Sequence, residues 1–108
     1  MNLFGIKLFG KLSNAEIDAF ARELAGTILT RLPPGSEPPA GTGKRAQREL
    51  RRGLEQVLRS ASGFQSEHKL GVYGKARVAN TFKWELRDKG YDDDFVTEAT
   101  KALVLALN

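Results

Sequence analysis

Apolar positions recur at steps of three and four along most of this chain, and four such runs predict four helices. The first is the plainest. Ile17, Phe20, Ala21, Leu24, Ala25, Ile28, Leu29 and Leu32 mark one face over residues 14–32. Ser13 and Glu16 stand as a capping box, and Leu12 and Ile17 occupy the staple positions on either side of it. Pro33-Pro34 stops the helix. Residues 33–43 then hold four prolines and three glycines, the composition of a flexible, disordered loop.

A second run, Ala46, Leu50, Leu54, Val57, Leu58 and Ala61, predicts a helix over about residues 44–61, with Gly53 weakening it and Ser62-Gly63 breaking it. Phe64 to Lys69 reads as a bend or as the first turn of the third helix. In that third helix Val72, Ala76, Ala79, Phe82 and Leu86 form the apolar stripe, and Gly90 ends it. With Gly90 in the left-handed position, Leu86 and Tyr91 are the two side chains that meet in a Schellman motif. Asp92, Asp93 and Asp94 cap the fourth helix at once, where the positive end of the helix dipole favours carboxylates. Phe95, Ala99, Ala102, Leu103 and Ala106 give its stripe, widened by Val104, Leu105 and Leu107.

Residues 1–12 differ in pattern. A near-repeat, Leu3-Phe4-Gly5 and Leu8-Phe9-Gly10, carries two glycines that disfavour a helix. Weak alternation predicts an extended arm packed over the helices. Its lysines and apolar residues also suit a membrane surface. The whole predicts one all-α domain over residues 1–108: a small four-helix bundle with an N-terminal extended arm and a Pro/Gly-rich loop between helices 1 and 2.

Composition narrows the chemistry. There are no cysteines among the 108 residues, which excludes disulfides and thiolate metal sites. No apolar run approaches a transmembrane segment and no secretory signal is visible, so a cytoplasmic location is expected. The net charge is +4, and it is unevenly spread. Residues 44–89 carry twelve Lys/Arg against five Asp/Glu, residues 1–43 are balanced, and residues 91–108 are acidic. A basic block of this kind suits a polyanionic partner or a solvated face.

Candidate catalytic and metal chemistry fails on spacing. Gly41-Thr42-Gly43-Lys44 looks like part of a phosphate loop, but Pro38 stands where the first glycine is required and Arg45 follows the lysine in place of Ser or Thr. His68 is the only histidine and has no evident nucleophile or metal partner. The three consecutive aspartates lack the alternate spacing of a calcium loop. Neither a metal nor another cofactor is expected, and no enzyme. DNA-binding arrangements fail as well. Pro33-Pro34 stands where the second helix of a ribbon-helix-helix protein would start, and a recognition helix opening on three aspartates would repel phosphate.

Two surfaces remain. Tyr73, Arg77, Asn80, Trp84 and Arg87 recur along a second face of the third helix, and Tyr73, Arg77, Trp84 and Arg87 suit a contact with another protein. The competing arrangement buries that face too, with Trp84 in the core and the arginines extended to water. The second helix offers Arg45, Arg48, Arg51 and Arg52 as phosphate contacts, the basis of an alternative function in nucleic-acid binding. The primary expectation is a non-enzymatic helical interaction module that binds a protein. Attachment to a membrane surface through residues 1–12 is the third.

Overall fold

The computed structural model describes residues 12–37 and 43–108. Within them the chain forms four helices: α1 (Asn14–Arg31), α2 (Lys44–His68), α3 (Val72–Asp88) and α4 (Asp93–Ala106). They build an all-α four-helix bundle. The expected arm lies outside the described residues, apart from Leu12, which packs against the core as the staple requires. The membrane-surface reading of that arm lies outside them too, as do residues 38–42 of the loop.

The predicted start of α1 is present in full. The Glu16 backbone N–H donates to Ser13 Oγ at 3.1 Å, and the Ser13 N–H donates to Glu16 Oε1 at 2.8 Å. Every residue of its predicted face is buried or partly buried. Pro33 to Glu37 depart from the expectation of disorder. Gly35 turns the chain at φ +95°, and the Ser36 N–H donates to the Pro33 carbonyl at 2.9 Å. Glu37 Oε2 then accepts the Asp92 N–H at 3.1 Å, fastening this turn to the start of α4. Partial burial works against charge on Glu37, but the N–H groups of Asp92, Glu37 itself and Gly35 outweigh it and hold the carboxyl below its ordinary value.

α2 is longer than expected. Ser62-Gly63 does not break it, because the inward stripe continues at helical steps from Ala61 to Phe64 and His68. The Phe64 ring stacks on Phe20 of α1, with centroids 3.7 Å apart and planes within 8°, and it also meets His68 at 4.4 Å. Ser62 and Gly63 point to solvent. Their poor propensity costs about 1 kcal/mol, less than the contacts beyond them return. The helix ends instead at Lys69, a left-handed residue at φ 51°. There the Gln65 amide donates to the Leu70 carbonyl and accepts the Leu70 N–H, both at 3.0 Å. Gly53, a weak point in the sequence, lies against the end of the half-buried Leu32 side chain. A Cβ on it would lie 2.6 Å from Leu32 Cδ1.

The α3 stripe is rotated from the expected one. Val78, Ala79, Phe82 and Leu86 are buried, whereas Val72 is 86% exposed and Ala76 faces water. The inward register of α3 is therefore set by Gly74, buried against Leu70, and by Val78 one turn later. On α4 the added core residue is Val96; of the three that were expected to widen the stripe, Leu107 at the C-cap is buried, while Val104 and Leu105 face solvent. One hydrophobic cluster joins all four helices around Phe82, Phe95, Ile28, Leu54 and Leu103.

Contacts between the helices fix their order in space. α1 packs on α3 and α2, and α4 packs on α3 and α2, while the consecutive pair α2 and α3 do not pack on each other. α2 and α3 are thus diagonal in the bundle. Asp18 meets Arg77 and Arg22 meets Glu85, so α1 and α3 run parallel. The opposed pairs Leu32–Gly53 and Phe20–Phe64 make α1 and α2 antiparallel. At the head of the bundle the Tyr91 hydroxyl donates to the Leu32 carbonyl at 2.6 Å, tying the end of α1 to the α3–α4 corner. Burial raises the Tyr91 pKa, and the nearby Glu37 charge adds to it.

Candidate interaction surface on α3

The outward face of α3 is set by what the helix buries. With Val78, Phe82 and Leu86 turned to the core, a 3.6-residue period places Tyr73, Asn80, Trp84 and Arg87 on the opposite side. Trp84 is 50% exposed and Tyr73 63% exposed. Trp84 is therefore not a core residue. Two cations flank its ring, Arg87 with its guanidinium carbon 5.2 Å from the centroid and Lys83 with Nζ at 5.5 Å. Both distances allow cation–π attraction, which also holds the ring against the helix surface. Arg87 additionally lies 3.7 Å from Asp93 at the start of α4.

Arg77 has a different position from its three companions. Its Nε and Nη2 donate to the two Asp18 carboxylate oxygens at 2.8 and 2.9 Å, a two-pronged pair across α1 and α3. Its Nη1 donates to Tyr73 Oη at 2.9 Å. Thr81 Oγ1 adds a donor to Asp18 at 3.3 Å. The Arg77 hydrogen bonds are the main cause of a lowered Asp18 pKa, opposed by partial desolvation and aided by the Arg77 charge and by Thr81. The same pairing raises the Arg77 pKa, first through Asp18 and then through Tyr73. Arg77 therefore joins α1 to α3 and orients the Tyr73 hydroxyl, with three of its five donors already engaged.

Sequence patterns brought Tyr73, Trp84 and Arg87 together correctly as one helical face. They missed Lys83, which lies beside Trp84 in the chain but off the stripe. They also missed Asp18, which is 59 residues from Arg77 and carries no local signal of the contact.

The other sequence candidates lie elsewhere. Arg45, Arg48, Arg51 and Arg52 are exposed on α2. Because α2 and α3 are diagonal, the arginine face and the Trp84 face point away from each other. A single flat partner cannot cover both. Among the described residues there is no group of three or more His, Asp or Glu placed to hold a metal ion, and no helix is long and apolar enough to cross a membrane. His68 closes α2 and packs on Phe64. Comparison with protein-family models, with characterised proteins and with solved structures gave no match for this chain.

Proposed function

We propose that the protein is a non-enzymatic interaction module that docks another protein on the outward face of α3, with Trp84 as the anchor. The observation that carries this reading is the half-exposed Trp84 ring set between Lys83 and Arg87, with Tyr73 further along the same face. An exposed tryptophan leaves a large apolar surface in water, and contact with a partner removes it. Trp, Tyr and Arg are also the residues that dominate binding energy at protein interfaces. The flanking cations specify the partner's chemistry: an apolar pocket for the indole, rimmed by carboxylates. Arg77 serves this face indirectly, by fixing α3 against α1 and by holding Tyr73.

The test uses the full chain as bait against the host proteome, in parallel with a Trp84→Ala variant, followed by titration of each purified partner. A genuine partner binds the native chain directly and shifts Trp84 emission on binding. Its affinity falls at least about 30-fold with Trp84→Ala, the loss that an anchor worth about 2 kcal/mol would give. Partners that bind the native chain and the variant equally well would refute the reading.

A further inference from the structure

The outer face of α2 is a second surface, remote from Trp84. Leu54, Val57 and Ala61 turn to the core, so Lys44, Arg45, Arg48, Arg51, Arg52 and Arg59 share the opposite, solvent-facing side. Leu32 at the end of α1 sits over Gly53. Residues 44–52 consequently run on past the end of α1 for about 13 Å at 1.5 Å per residue. The buried residues of α2 begin only at Leu54.

Charge on this face is only partly compensated. Arg45 pairs with Glu49 at 3.5 Å, and Arg59 pairs with Glu55 at 2.8 Å. Among the described residues, Arg48, Arg51 and Arg52 have no carboxylate at ion-pair distance, and they line a shallow open groove with Glu55, Leu58 and Arg59. The helix start adds to the positive potential. Gly43 caps it without a side-chain hydrogen bond, and its first turn has no acid. Lys44 and Arg45 stand where the dipole already disfavours cations. Stability alone would place acids there, so the arrangement calls for an anion from outside.

We infer that this face binds the phosphodiester backbone of double-stranded nucleic acid, without reading its sequence. Three features select that occupant among polyanions. The cations are nearly all arginines, whose planar fork matches phosphate oxygens in pairs. They lie along one helix face of about 22 Å from Lys44 to Arg59, the geometry of an extended line of charge. No aromatic residue occurs anywhere in residues 44–59, so the face has no platform for stacking unpaired bases and no anchor for a bilayer interface. This inference is independent of the α3 reading, since the two faces lie on opposite flanks.

The experiment is a fluorescence-anisotropy titration of the full chain with a labelled duplex of about 20 base pairs, at several salt concentrations, beside the equivalent single strand and anionic phospholipid vesicles. We expect duplex binding at about 50 mM salt, with a log–log salt slope of about −3 to −4 for some four phosphate contacts. The charge-reversal variant Arg48→Glu/Arg51→Glu/Arg52→Glu should lose at least about tenfold in affinity and most of that slope, with an unchanged helical spectrum because all three side chains are exposed. Trp84→Ala should bind duplex as the native chain does. Absence of duplex binding at low salt, equal binding by the triple variant, a preference for the single strand, or binding to vesicles alone would each overturn the inference.

Discussion

At the scale of single residues, the Asp18–Arg77 pair shows how one contact can serve both fold and surface. Arg77 uses two donors on Asp18 and one on Tyr73, so α1, α3 and an exposed aromatic are linked through one guanidinium. The lowered Asp18 pKa gives this link a pH dependence of definite sign. A carboxylate whose pKa falls on folding stabilises the native state above its unfolded value, and that contribution disappears as pH falls through the folded value. Native protein and Asp18→Asn should therefore differ in thermal midpoint at neutral pH, with the native chain higher. The gap should hold down to about pH 5 and close progressively below about pH 4, where the unfolded aspartate takes up its proton while the folded one is still charged. Melting curves across that range check it, and a gap that stays constant to pH 2 would contradict it.

At the scale of elements, the corner between α3 and α4 was legible in the sequence and the end of α2 was not. Gly90 at φ +91° carries both Schellman bonds, from the Tyr91 N–H to the Leu86 carbonyl at 3.3 Å and from the Gly90 N–H to the Arg87 carbonyl at 3.0 Å. Leu86 and Tyr91 are both buried, as that motif requires, and Asp92 caps α4 through the Asp94 and Phe95 N–H groups. Gly90→Ala forces a Cβ into a left-handed conformation and should cost about 1–2 kcal/mol, read as a lower urea midpoint with an unchanged slope. No loss would mean that the corner can relax into another turn. Such motifs are local, so six or seven residues are enough to specify them. The continuation of α2 through Ser62-Gly63 is not local. Helical spacing carries the stripe on to Phe64 and His68, but what offsets Ser62-Gly63 is Phe64 meeting Phe20, 44 positions earlier in the chain, and that contact has no local signal. The rotated stripe of α3 has the same origin. Val72 and Val78 both fit a helical apolar pattern, and only packing against neighbouring helices selects Val78.

At the scale of the whole molecule, the order of the helices gives the surface patterns their meaning. Two faces that a linear reading treats as one basic block, residues 44–89, are separated by the bundle's core. One presents an indole between cations, the other a row of arginines running past the end of α1. The exposure of Trp84 also sets its energetic role. Removing a core tryptophan costs about 3–5 kcal/mol, whereas a half-exposed ring held by cation–π contacts should contribute about 1 kcal/mol or less to stability. The loss from Trp84→Ala belongs to binding. The most direct measurement of this claim is the emission of Trp84, the sole tryptophan, in the isolated protein. The account predicts a red-shifted, solvent-exposed spectrum quenched more strongly by iodide than by caesium, because Lys83 and Arg87 draw the anion towards the ring. A blue-shifted spectrum that resists both quenchers would place the indole in a dry interior and contradict the account.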